Sequence, residues 1–222
     1  MKTLLIALFA ICLCWAVGCG KAPFKETSEE RFKLKADAGD SESQYYLALS
    51  YQQGKGVPKD SKEAARWFRK AAEQGHAKAQ YNLGDLNREG EGVVKDDKEA
   101  VKWYRKAADQ GLAEAQHSLG VMYQDGEGVP KNLNEAWKWY LKAARQGDAF
   151  GQSRLGMMCH YGIGVPKNYV AAYAWYSVSA ANGNSNAKKW LNDISNEMTA
   201  DQITTAQELS RQETSKHPKM LK

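Results

Sequence analysis

Apolar residues recur along this chain at a fixed step. Leu47, Leu83, Leu119, Leu155 and Leu191 lie 36 residues apart, and Trp67, Trp103, Trp139 and Trp175 keep the same interval. Gly39, Gly75, Gly111, Gly147 and Gly183 repeat with them. Each interval holds two apolar stripes of helical spacing. In the first, Ala79, Leu83 and Gly84 share a face, which Tyr51 and Tyr123 extend in other intervals. In the second, Ala64, Trp67, Phe68, Ala71 and Ala72 form a broad apolar face. The pattern predicts helix–turn–helix units with helices of about thirteen and fourteen residues. A repeat of about 20 to 50 residues predicts stacked units that share no single core and present a long surface. Binding is the work such a surface suits.

Glycine, proline and small polar residues punctuate the unit. The first helix runs into Gly54/Gly56, Gly90/Gly92, Gly126/Gly128 or Gly162/Gly164. The leading glycine of each pair predicts a left-handed helix end. Pro58, Pro130 and Pro166 then stop the helix, with Val94 in the second unit. A phosphate-binding reading of these loops fails, because it needs a preceding strand and a helix precedes them here. Asp60 with Glu63, Asp96 with Glu99 and Asn132 with Glu135 have capping-box spacing at the start of the second helix. Gly84, Gly120 and Gly156 fall inside the first helix, where Gly costs about 1 kcal/mol relative to Ala. Close helix approach is the expected compensation, and Ala48 at the same position agrees.

Together the elements A-x-x-x-L-G-x-x-Y, G-x-G-V-x-K-[DN], E-A, W-Y and K-A-A-x-Q-G resemble the Sel1-like repeat family, relatives of tetratricopeptide repeats. The resemblance covers residues 39 to about 192 and implies an all-α, right-handed solenoid used for protein–protein contact. The units read as 39–74, 75–110, 111–146 and 147–182, with a partial fifth at 183–196. Residues 28–38 align with a second helix and form an N-terminal cap, with Phe32 on the Phe68 position, Ala36 on that of Ala72 and Arg31 in place of Trp. Residues 197–222 form a closing helix, roughly 200–213, and a frayed tail with His217 and Pro218. Thr199 and Gln202 offer its cap, and Ile203, Ala206 and Leu209 its apolar stripe. Trp190 is expected to pack under that last helix.

The first eighteen residues are of another kind. Met1 and Lys2 precede an apolar run over 4–17, too short to span a bilayer, which takes about 20 residues. Ala16-Val17-Gly18-Cys19 resembles a bacterial lipobox. That resemblance implies a cleaved signal peptide at 1–18, a lipid on Cys19, and a short tether at 19–27. Gly20 in place of Asp implies an outer-membrane position facing the periplasm. Cys12 and Cys14 would leave with the signal, so Cys19 and Cys159 would remain and no disulfide framework is expected.

Composition narrows the function classes. The chain is 43% hydrophobic and 26% charged, which suits a folded domain, and its net charge of +5 is interleaved rather than clustered. A nucleic-acid binder needs a basic stripe, which the sequence does not display. His76, His117, His160 and His217 have no partner at ligand spacing, so no metal, cofactor or catalytic set is expected. His76 reads as exposed, and Cys159 as a buried, inert thiol. Ser185 and Lys188 have the spacing of a β-lactam-reactive nucleophile motif without the rest of it. Cysteine-rich Sel1-repeat proteins linked to β-lactams imply an alternative, an enzyme acting on cell-wall material or β-lactams, but this chain lacks their cysteine pairs. A toxin-neutralising binder is a further alternative. The leading reading is a non-catalytic scaffold that holds a peptide or protein partner. In tetratricopeptide relatives the first helices line the concave face. By spacing, that face carries Glu42, Tyr45, Leu49 and Gln52, then Lys78, Tyr81, Asp85 and Arg88. Glu114, His117, Val121 and Gln124 follow, then Phe150, Ser153, Met157 and His160. Tyr45, Tyr81, Asp85, Arg88, His117, Gln124, Phe150, Met157 and His160 are the candidate partner-binding residues, with aromatic, Arg and Met side chains as the best anchors.

Overall fold

The computed structural model describes residues 28–221, with side chains from Phe32 onward. The expected signal peptide, Cys19 and the tether lie outside the described residues, as does the side chain of Arg31. Among the described residues there are eleven α-helices and no strand. They are α1 (Ser28–Asp37), α2 (Ser41–Gln53), α3 (Ser61–Glu73), α4 (Ala77–Glu89), α5 (Asp97–Asp109) and α6 (Ala113–Asp125). Then come α7 (Leu133–Arg145), α8 (Ala149–Tyr161), α9 (Tyr169–Ala181), α10 (Ser185–Ser195) and α11 (Ala200–Lys216). A 3-10 turn over Pro218–Met220 follows. Helices α2, α4, α6 and α8 are the first helices of four units, and α3, α5, α7 and α9 are the second. Each helix of these four pairs has 13 residues.

Local chemistry sets the ends. Helix α4 stops at Gly90, whose φ of 72° is the left-handed conformation that glycine adopts without a Cβ clash. Two residues on, a Cβ on Gly92 would run into the carbonyl of Ser61 in the preceding unit, so only glycine lets the units close. Second helices begin with the expected cap: Asp60, Asp96 and Asn132 accept from the N–H groups of Glu63, Glu99 and Glu135 at 3.1, 3.0 and 3.1 Å. The reciprocal half of the expected capping box is absent, and the reason is visible. The cap residues' own N–H groups already donate to Tyr51, Asn87 and Tyr123 carbonyls of the first helix, at 3.0, 2.8 and 2.8 Å. The glutamates turn outward and pair with Arg66, Lys102 and Lys138 instead. Thr199 with Gln202 does form a complete box, at the start of α11.

Packing is distributed over four clusters rather than one core. Trp103 of the second unit joins the first unit's cluster, and Trp139 of the third joins the second's, so each indole bolts its unit to the one before. Lys70, Lys106 and Lys142 lie over the three buried indoles at 3.9 to 4.0 Å. A second seam is polar. Gln44, Gln80, Gln116 and Gln152 are buried. Each donates to the carbonyl eight residues earlier, that of Ala36, Ala72, Ala108 or Ala144. Each also accepts, from Gln74, Gln110, Gln146 or Asn182. A buried amide satisfied on both ends fixes the register of neighbouring units, because any slip strands its polar atoms.

The two ends depart from simple repetition. Helix α11 does not complete a fifth unit beside α10; it folds back along α9. Helix α9 has the sequence YVAAYAWYSVSAA, without a charge, because both of its faces are covered. Ala174 and Val178 stand where the preceding unit has Lys138 and Lys142, and with Trp175 they face Leu209, Glu213 and Met220. The expectation of a frayed tail is therefore corrected. Met220 is fully buried, and its carbonyl accepts from Gln152 at 3.0 Å and from Asn182. Trp190 is corrected too: it packs on Tyr176 of α9, with centroids 5.4 Å apart. At the other end Ala36 is buried as expected, but Phe32 is 46% exposed where Phe68 is fully buried. Phe68 is covered by the first helix of its own unit, and no described helix stands in that place for Phe32.

Candidate interaction surface

The inserted glycines bring second-helix tyrosines through to the face of the first helices. Tyr104, Tyr140 and Tyr176 are fully buried rings whose atoms would lie 2.7, 2.6 and 2.5 Å from a Cβ on Gly84, Gly120 and Gly156. Passing through that gap, the Tyr104 hydroxyl donates to Asp85 Oδ1 at 2.6 Å and the Tyr140 hydroxyl to Gln124 Oε1 at 3.1 Å. Tyr176 meets His160 Nδ1 at 3.5 Å. The first unit has Ala48 and Phe68 instead, which is a filled gap and a ring without a hydroxyl.

Asp85 sits at the centre of the second unit's face. Burial raises its carboxyl above the ordinary range, and hydrogen bonds from Tyr104 and Tyr81 oppose that rise. Burial, with the Asp85 charge behind it, pushes Tyr81 up to about 12, and the same two causes take Tyr104 higher still. Both phenols are thus donors at neutral pH. Arg88 pairs with Glu89 at 3.3 Å, while its Nε is buried without a partner. The neighbouring unit contributes His117, whose Nε2 is likewise buried and unpartnered. His117 lies 5.8 Å from Tyr140 and 6.0 Å from Phe150, ring to ring. Burial first, then the charges of Arg154 and Arg88, depress its pKa to about 4.

That depression fixes the sign of a pH effect. The fold favours neutral His117, so its contribution is complete above the ordinary value of 6.5 and disappears as pH falls from there through about 4. We expect His117→Gln, which cannot titrate, to flatten the loss of stability between those values. The full effect is about 3 kcal/mol at most. Urea melts at pH 7 and pH 4.5 check it, and equal acid losses in both proteins contradict it.

The other candidates divide. Tyr45 stacks on His76 at 4.6 Å. Phe150 is 64% exposed, the most open aromatic of the row. Gln124 is half-buried under its bond from Tyr140, and Met157 is half-buried beside the last cluster. An exposed position is corrected for two residues. His160 is 8% exposed, stacked on Tyr161 at 4.4 Å and edge-on to Tyr169 and Tyr176. Ser153 is buried and donates to the Phe150 carbonyl. His76, read as exposed, caps α4 instead: its Nδ1 accepts from Ala79 N–H at 3.1 Å and its Nε2 meets Glu42 at 3.0 Å. Cys159 is buried, with its thiol pushed up to about 11 by burial, which keeps it unreactive. Ser185 and Lys188 are both exposed on α10. No group of three metal-ligating side chains occurs among the described residues. Sequence reading missed Tyr104, Tyr140 and Arg154 on this face. The signal for the tyrosines was present, since Gly pairs with Tyr in three units and Ala with Phe in the first.

The Sel1 repeat family matches residues 41–76, 77–112, 113–148 and 149–184, each match starting at the first residue of a first helix. Among solved structures, the chain is similar to a protective antigen of uropathogenic Escherichia coli with an SLR fold. Identity is 37% and the TM-score 0.80, over 91% of this chain and 44% of that one, so this chain spans less than half of the antigen's length. It is also similar to a Sel1 repeat protein from Oxalobacter formigenes, with 40% identity and a TM-score of 0.71, over 75% of this chain and 66% of that one. Likeness to the immunity protein Pa5087 of Pseudomonas aeruginosa, at 24% identity and a TM-score of 0.51 over 86% of this chain and 73% of that one, is one of fold alone. No match to a curated protein stands beside these structures. Sel1-repeat proteins generally act as protein-interaction scaffolds. With four consecutive units matched over most of its length, the chain belongs to the Sel1 repeat family.

Proposed function

We propose that the protein is a lipid-anchored scaffold of the bacterial envelope that captures a peptide or protein segment on the face of its first helices. One observation carries the reading. Tyr81, Asp85, Arg88, His117 and Phe150 occupy that face on successive units, and two of them hold buried polar atoms, Arg88 Nε and His117 Nε2, that have no partner within the described residues. Buried polar groups are ordinarily satisfied, and a side-chain shift on binding would bring these two to the groups of a bound segment. Tyr and Arg are also the residue types that dominate binding energy at interfaces. The anchor rests on the lipobox-like segment ending at Cys19, with the protein held at the outer membrane facing the periplasm. That the Escherichia coli relative is a protective antigen fits an exported protein.

The test is a crosslinking pulldown from cells, with the intact protein compared to Tyr81→Ala/Arg88→Ala at matched abundance and membrane location. A discrete partner is expected from the intact protein. Its purified form should bind the double variant at least about 30-fold more weakly, as loss of a hot-spot residue implies, with helical circular dichroism unchanged. Equal binding by both proteins sinks the assignment of this face.

A further inference from the structure

The N-terminal end of the solenoid carries a second surface of different chemistry. Phe32, Leu34 and Tyr46 are 46%, 57% and 47% exposed, and the Phe32 and Tyr46 rings lie 6.1 Å apart. Beside them opens a cleft of about 560 Å³, floored by Leu49 and Val57 and rimmed by Lys33 and Lys55, with no carboxylate in its lining. The contrast with the next unit is sharp. Leu49, Gln53 and Lys55 stand at the positions of Asp85, Glu89 and Glu91, so this end has exchanged three acids for an apolar, a neutral and a basic residue. Neither lysine makes an ion pair among the described residues. Aromatic and aliphatic groups mixed with unpaired cations suit the boundary between lipid headgroups and acyl chains, where rings and lysine stems bury and the charges reach phosphates.

We propose that this end face docks on an anionic phospholipid bilayer, so that the solenoid stands on the membrane by its first unit. The proposal rests on the lipid-anchored reading, because the chain from Cys19 to Ser28 reaches at most about 30 Å even fully extended. An anchor on that leash keeps the end face at high effective concentration beside the bilayer and converts weak docking into a stable posture. No helix among the described residues is long and apolar enough to cross a membrane. The posture also leaves the row from Tyr81 to Phe150 free for a partner.

The experiment uses the full chain in vesicles of phosphatidylethanolamine and phosphatidylglycerol. An environment-sensitive fluorophore is placed on Leu34→Cys, or on Lys188→Cys at the far end as a control. Cys159 stays unlabelled because it is buried and its thiol is poorly ionised. We expect severalfold brighter, blue-shifted emission from position 34 relative to position 188. Added Phe32→Ser/Tyr46→Ser should abolish that difference while the protein still sediments with the vesicles. Equal emission at both positions in sedimenting protein overturns the docking and leaves the anchor standing. Protein that carries no lipid overturns the anchor; unlipidated chain with Cys12, Cys14 and Cys19 replaced by Ser, so that only position 34 or 188 takes the label, is then mixed with the same vesicles and decides the docking by the same signal. Brightening at position 34 without vesicles, rising with protein concentration, identifies a second copy as the occupant and overturns the proposal.

Discussion

Trp103→Ala is expected to cost about 3–5 kcal/mol and to uncouple the first unit from the second. The indole is 5% exposed and belongs to the first unit's cluster although it sits on α5 of the second. Its truncation leaves a cavity at the joint between units, where a solenoid has only nearest-neighbour contacts to hold it. Lys106 over the ring adds about 0.5–1 kcal/mol that is lost as well. Trp103→Phe should cost much less. It keeps most of the ring and removes an indole N–H that is buried without a partner. Urea denaturation followed by circular dichroism measures both. A Trp103→Ala loss within about 0.5 kcal/mol, the level of an ordinary surface change, contradicts the role given to this residue.

Gly84→Ala is the second large effect, expected at about 2 kcal/mol destabilising. In an open helix this change gains up to about 1 kcal/mol. Here the new Cβ would lie 2.7 Å from two atoms of the Tyr104 ring, and such overpacking costs about 1–3 kcal/mol or more. The ring cannot shift freely, because its hydroxyl is held by Asp85 at 2.6 Å. The first unit shows the compatible alternative: Ala48 and Phe68 are both fully buried at the equivalent positions. Gly84→Ala combined with Tyr104→Phe should therefore be more stable than Gly84→Ala alone. A double variant as unstable as the sum of its singles means that the tyrosine hydroxyl does not fix the ring.

Much of this fold was legible because the same local rules act four times. The 36-residue step, the left-handed glycines and the Asp or Asn caps each report on a few neighbouring residues. What stayed hidden depends on elements far apart in the chain. The glutamates three residues past the caps looked reciprocal, but the cap N–H groups were already taken by Tyr51, Asn87 and Tyr123 carbonyls. The fold-back of α11 left a trace in α9, where Ala174 and Val178 replace lysines, yet that trace has meaning only once a covering helix is known. His160 lay in the right register for the surface, and Tyr161 and Tyr169 close over it. The paired glutamines were visible at the same period, but their bonds join residues 30 positions apart.

The central claim is that the first helices, and not the outer side of the second, meet the partner. A photoreactive residue placed at Phe150 on α8, or at exposed Lys138 on α7, tests it in living cells. The account predicts a discrete adduct from position 150, none from position 138, and loss of the adduct when Tyr81→Ala/Arg88→Ala is added. An adduct from position 138 alone, or one at 150 indifferent to the double substitution, contradicts it.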